Sequence, residues 1–300
     1  MDRRAILSSK VLSRATSRVF RIVLLCLVCS ALTAVVDAQV QFRVLDRDVI
    51  EARLKGFSDK NDERELILER MFAQSGCAAD KLQQQLVKKK LPPNLICVVP
   101  GQTGRIILVG AHSDHADIGD GVVDNWSGAS LLPSLMYSVS GIPRQHTFIF
   151  VAFTDEEGGM VGSDFYAKKL TPEQRASIDL MVNLDTLGLG PTKVWGTHAD
   201  GQLFNVLAKV ANSMKLPLDV VNVDNVGTTD SESFAKYKIP RITVHSVTQD
   251  TWGILHSKKD TFDAIKMDDY YASYRLLAVY LAFLDTYKAQ PEPAQAKPQR

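Results

Sequence analysis

The chain has 300 residues with a net charge of +1, 45% hydrophobic and 23% charged side chains. This is the make-up of an ordinary globular protein with a sizeable core, and it excludes a low-complexity, collagen-like or strongly basic nucleic-acid-binding chain. Residues 1–38 hold six basic and two acidic side chains, so the remainder carries a net charge of about −3.

Those first 38 residues read as a targeting signal. A basic region runs to Arg21, the apolar stretch Ile22 to Val36 follows, and small residues surround Asp37-Ala38. At about fifteen residues the stretch falls short of the roughly twenty needed to span a bilayer. Cleavage near Ala38 and export to the periplasm or exterior are expected, with no stable membrane association afterwards; a retained signal anchor is the alternative. Only Cys77 and Cys97 remain after cleavage, an even number in an oxidising compartment. They read as a disulfide, or else as two buried thiols.

From Gln39 to Lys90 the spacing predicts helices. Leu45 to Leu54 and Glu63 to Phe72 carry apolar residues three and four apart. Pro92-Pro93 ends this region. Asn94 to Val99 and Ile106 to Val109 then read as strands, with a turn at Pro100-Gly101. Asp124 to Gly128 reads as the first turn of a helix that continues from Ser127 to Ser140. Thr147 to Phe153 is a continuous apolar run, as for a strand covered on both faces. A helix starting at Gly162, a strand at Leu180 to Leu184, a strand at Lys193 to Gly196 and a helix from Gly201 to Met214 follow. Arg241 to His245 is the last predicted strand, and Met267 to Tyr287 the terminal helix. The Pro-, Gln- and Ala-rich residues 289–300 read as a disordered tail. Strands alternate with helices and no linker interrupts them. The expectation is one α/β domain over residues 39–288, with helices flanking a mostly parallel mixed sheet in three layers.

Polar clusters follow four of these strands: His112/Asp114/Asp124, Glu156/Glu157, Asp185 and His256. Each has an ordinary explanation alone, as a loop histidine, a helix cap or a solvated face. Together they stand where an open α/β sheet collects its ligands, at the carboxyl ends of the strands. Imidazoles mixed with carboxylates suit zinc or a neighbouring first-row metal. The count exceeds what one ion needs and favours two ions sharing a carboxylate.

Gly110-Ala-His-Ser-Asp114, Gly121-Val-Val-Asp-Asn-Trp-Ser-Gly128, Asp155-Glu-Glu-Gly-Gly-Met-Val-Gly-Ser163, Asn183-Leu-Asp185 and His256-Ser-Lys-Lys-Asp-Thr261 resemble, in order, the motifs of the M28 family of zinc peptidases. The resemblance spans roughly Gly101 to Ile265 and leaves out the helical region before Lys90. It implies two zinc ions bridged by Asp124, one completed by His112 and Asp185, the other by Glu157 and His256. Asp114 would orient His112, a cis peptide would follow Asp124, and Glu156 would be the general base. The implied activity is removal of N-terminal residues from a peptide substrate with a free amino terminus. Separately, the chain is expected to act as a monomer.

Two positions depart from or fall short of the pattern. Many members carry Tyr immediately before the last His ligand, where this chain has Leu255, so no oxyanion donor is assigned. Asp230 resembles a polar family motif but reads equally well as a helix cap. His115, His146, His198 and His245 read as loop or core histidines. Trp252, in the loop before His256, is the candidate substrate-pocket residue. Two rival readings stand: a single-zinc glutaminyl cyclase, against which the short Gly158–Val161 spacing argues, and a non-catalytic binding ectodomain, against which the full ligand set argues.

Overall fold

The computed structural model describes residues 40–288 apart from Val226, all within one compact unit. The predicted signal segment and the tail lie outside these residues. The chain opens with helices α1 (Arg47–Lys55) and α2 (Asn61–Gln74), then strands β1 (Leu82–Gln85), β2 (Asn94–Val99) and β3 (Ile106–His112). A short helical turn at Ser127–Ala129 leads into α3 (Leu131–Val139), followed by β4 (Thr147–Phe153), α4 (Val161–Lys169) and α5 (Pro172–Ser177). Next come β5 (Ile178–Leu184), β6 (Lys193–Ala199), α6 (Gly201–Met214) and the two-residue β7 (Asp219–Val220). The chain finishes with α7 (Glu232–Ala235), β8 (Arg241–His245) and α8 (Met267–Lys288).

The eight strands form one mixed sheet in the order β1-β2-β4-β3-β5-β8-β6-β7. β4, β3, β5 and β8 run parallel at its centre, with β2 and β6 antiparallel beside them. Alternation along the central strands sends side chains into two cores. Ile107, Val109 and Ala111 of β3, with Phe148, Phe150 and Ala152 of β4, join the larger one, which packs against α1, α2, α3, α6 and α8. Leu108, Val151 and Phe153 point to a smaller one with Tyr166 of α4 and Phe234 of α7. Burial on both faces is why these strands read as unbroken apolar runs. Among the described residues no helix is long and apolar enough to cross a membrane.

Two expectations are corrected. The region up to Lys90 is not helical throughout, because Leu82–Gln85 pairs antiparallel with Asn94–Cys97 as an edge strand. Asp124 does not open a helix: Asp124 (φ −115°, ψ 96°) and Asn125 (φ −132°, ψ 42°) are non-helical, and the peptide between them is cis. Cys77, just beyond α2, is bonded to Cys97 on β2.

Candidate metal centre

The central strands end side by side, and their last residues face one cavity of about 380 Å³. His112 ends β3, Glu156 and Glu157 follow β4, Asp185 follows β5, and His256 closes the loop after β8. Asp124 comes from the crossover between β3 and α3. Donor atoms of His112, Asp124 and Asp185 approach one another closely enough to share an ion, as do those of Asp124, Glu157 and His256. Asp124 belongs to both groups. Its Oδ1 lies 3.2 Å from His112 Nε2 and its Oδ2 lies 3.3 Å from His256 Nε2. Asp185 Oδ1 is 3.7 Å from His112 Nε2, and Glu157 Oε2 is 3.0 Å from His256 Nε2.

Backbone and side-chain hydrogen bonds fix each member. Asp260 accepts the amide protons of Val123 (2.6 Å) and Asp124 (3.1 Å), which holds the non-helical turn at the shared carboxylate. Asn125 Oδ1 accepts from the amides of Gly128 and Thr186, while its Nδ2 donates to the Leu184 carbonyl. Gly128 must be glycine there, since a Cβ would sit 2.6 Å from Asn125 Oδ1 and 2.7 Å from the Leu184 carbonyl. Thr229 Oγ1 donates to Asp185 Oδ2 at 2.7 Å and accepts from Asn183 Nδ2. Asp155, Thr186 and His256 hold φ of 55°, 51° and 51°, the left-handed region that non-glycine residues seldom adopt and that gathers at functional sites.

Asp114 meets His112 differently from the expected carboxylate bond. The ring Nδ1 lies 3.2 Å from the Asp114 carbonyl oxygen and 3.6 Å from its carboxylate. That carboxylate instead accepts the amide protons of Glu156 (3.0 Å) and Glu157 (3.1 Å), tying the β3 and β4 loops together.

The electrostatics suit a cation. Burial pushes the Glu156 carboxyl up to about 9, with Asp230, Asp185 and Asp124 adding to the effect against His112. His256 is raised to about 10, first by its contact with Asp124 and then by Glu157. Burial works against charge on His112, yet Asp114, Asp124 and Asp185 raise it well above the ordinary imidazole value. So many carboxylates around two imidazoles make a donor set that fits divalent zinc, with two protein groups on either side of a shared aspartate.

Apolar side chains also line the cavity: Trp195, Val223, Val247, Trp252 and Leu255. Trp252, the predicted pocket residue, is half exposed at this wall. Trp195 was not legible in the sequence, because nothing distinguishes a strand tryptophan facing a cavity from one in a core. His245 is a wall residue too; its Nε2 lies 2.9 Å from the Val221 carbonyl oxygen, and burial lowers its pKa to about 4. His115 and His146 are buried structural residues, and His198 stacks on Trp195. Asp230 is no helix cap: it is buried and neither carboxylate oxygen has a hydrogen-bond partner.

Residues 94–281 match the family model of peptidase family M28. The chain belongs to that family. Leucine aminopeptidase 2 of Trichophyton rubrum is 32% identical over 106 residues, 35% of this chain and 21% of that protein, so the match spans about a fifth of the relative's length. A zinc aminopeptidase from Bacillus subtilis shares the fold with a TM-score of 0.60 at 20% identity, over 66% of this chain and 52% of that one. A glutaminyl cyclase from an Acidobacteriales bacterium aligns with a TM-score of 0.65 at 14% identity, over 80% of this M28 chain and 94% of the cyclase. The helices α1 and α2 lie before the matched residues.

Proposed function

We propose that this M28 chain is an exopeptidase that removes N-terminal residues from peptides, using two zinc ions and Glu156 as general base. The observation that carries this reading is the pair of ligand groups sharing Asp124 beside a buried glutamate in one cavity. His112 and Asp185 would hold one ion, Glu157 and His256 the other, with Asp124 common to both. Bound there, the ions would supply Lewis acidity that polarises the scissile carbonyl and lowers the pKa of water. Glu156 takes a proton from the attacking water and returns it to the leaving amine. Asp114 holds the Glu156 and Glu157 amides, so base and ligand keep a fixed spacing. The apolar residues from Trp195 to Leu255 that line the cavity offer no charged partner, which favours an uncharged, apolar first residue. The names of the leucine aminopeptidase and zinc aminopeptidase relatives support the same reading. Export, resting on residues 1–38, belongs to the same proposal.

A glutaminyl cyclase is the second reading, favoured by the fold likeness to one. A single-zinc enzyme could use Asp124, Glu157 and His256 alone, and His112 with Asp185 would then go unused. Zinc per chain, measured beside hydrolysis of amino-acyl anilides and cyclisation of an N-terminal glutaminyl peptide with and without chelator, separates the two. One zinc with cyclisation alone would replace the peptidase reading.

A further inference from the structure

The loop between His112 and Asp124 has a partner that the family match does not contain. Arg64, on α2, is completely buried. Its hydrogen bonds go to backbone carbonyls: Nε donates to Ser58 (2.7 Å), Nη1 to Ser113 (3.2 Å), and Nη2 to Asp120 (2.6 Å) and Gly121 (3.0 Å). One planar group thus joins the approach to α2, the exit of β3 and the segment leading into Asp124. Gly121, at φ 57°, lies so close that a Cβ would stand 2.8 Å from Arg64 Nη2 and 2.3 Å from His115 Cβ.

Neighbouring bonds from the same N-terminal region meet this loop and the turn that follows it. Asn61 Oδ1 accepts the His115 amide proton (3.2 Å), His115 Nε2 lies 2.9 Å from the Asp59 carbonyl, and Trp126 Nε1 donates to the Arg53 carbonyl (3.2 Å). A buried guanidinium is costly unless its donors are satisfied. Arg64 meets that cost with three bonds to the loop and one to Ser58, with Asp260, Asp114 and Asp124 supplying opposing charge nearby.

We propose that Arg64 is a positioning residue for the zinc centre, and that the N-terminal helices outside the matched region set the metal affinity of this chain through it. The guanidinium fixes the two ends of the loop, and with them the separation of His112 from the shared Asp124. A lysine carries the charge on one point and cannot span Ser113, Asp120 and Gly121 at once. The inference rests on the reading of His112, Asp124, Asp185, Glu157 and His256 as zinc ligands.

The test measures zinc affinity by chelator competition, zinc per chain, and melting of the metal-free form, in the full chain and three variants. Arg64→Lys should bind zinc at least tenfold more weakly, with kcat falling at unchanged KM and recovering in excess zinc. Asn61→Ala, which removes one neutral bond to the loop, should fold and lose affinity severalfold. Asp285→Asn, at the opposite end of the sheet, should melt earlier yet hold zinc as the parent does. Parent-like affinity in Arg64→Lys, or an equal loss in Asp285→Asn, would overturn the clamp. If Arg64→Lys does not fold, parent-like affinity in Asn61→Ala overturns it. A parent chain that binds no zinc would instead remove the metal reading beneath it, a result distinct from the others.

Discussion

Glu156 and Glu157 are adjacent in sequence and have different surroundings. Glu157 is engaged at both oxygens, accepting from the Ala116 amide (3.2 Å) and facing His256 (3.0 Å). Glu156 faces the cavity among other carboxylates and is raised by burial; positive charge placed between the two groups would act in the opposite direction and favour the carboxylate form that can accept a proton. Glu156→Gln should therefore keep its zinc and lose on the order of a hundredfold or more in kcat. Hydrolysis at the parental rate by that variant would remove Glu156 as the base. The ligand groups predict a second result. On the two-zinc proposal, His112→Ala and His256→Ala each disable one group and leave Asp124 to serve the other, so each should lower zinc from two ions per chain to one. Metal analysis that finds two ions in both would break the assignment. These candidate ligands are legible in sequence because each sits directly after a recognisable strand or within a recognisable motif. Asp260, Thr229 and Asn125 act through contacts between distant loops, which no local pattern announces. Arg64 is hidden for another reason: a charged residue on an amphipathic helix reads as part of the solvent face, whereas here it shares the inward stripe with Leu68, Met71 and Phe72.

Among elements, legibility follows continuity of apolar sequence. β4 and β8 fall on their predicted ranges, and α6 does too, since its buried Leu203, Val206, Leu207 and Val210 repeat at helical spacing. β1 reads Leu82-Gln-Gln-Gln85 and has no alternation of its own; only pairing with β2 makes it a strand. β7 has two residues and α5 six, too short to carry a period. The Asp124–Trp126 turn misleads because its composition is that of a helix start, while tertiary bonds to Asp260 hold its backbone in a non-helical conformation. The bridge from Cys77 to Cys97 spans 20 residues and ties the end of α2 to the sheet. Closing a loop of that size removes about 3 kcal/mol of unfolded-state freedom. Replacing both cysteines by alanine should lower stability by roughly 2–4 kcal/mol. Urea unfolding of the variant beside the oxidised and reduced parent measures it; a change below about 0.5 kcal/mol, within the range of a neutral surface substitution, would show that packing alone holds α2.

Across the whole molecule the sheet separates two tasks. Its carboxyl edge gathers the candidate metal ligands, and its opposite edge carries a charged clamp that binds the terminal helix. His146, just before β4, is buried with Nδ1 3.1 Å from Asp285 of α8 and Nε2 3.0 Å from Asp179 of β5. Asp285 also accepts the amide protons of Gln145 (3.1 Å) and His146 (2.7 Å), and Arg105 pairs with Asp179. Burial alone would raise both carboxyls. His146 and the two amides outweigh it at Asp285, and Arg105 with His146 outweighs it at Asp179, so both stay below the usual carboxylate range. In the unfolded chain both titrate near the ordinary value of about 4. A folded-state pKa below the unfolded one contributes stability that is complete above the unfolded value and is lost as pH falls through the folded one. Asp285→Asn should therefore cost on the order of 1–3 kcal/mol at neutral pH, and its deficit relative to the parent should shrink as pH drops from about 5 toward 3. Thermal melts of both proteins across that interval, with zinc absent so that the ligand cluster contributes equally to each, give the comparison. A deficit that stays constant down to pH 3 would mean that shape, not the Asp285 charge, secures α8 to the sheet.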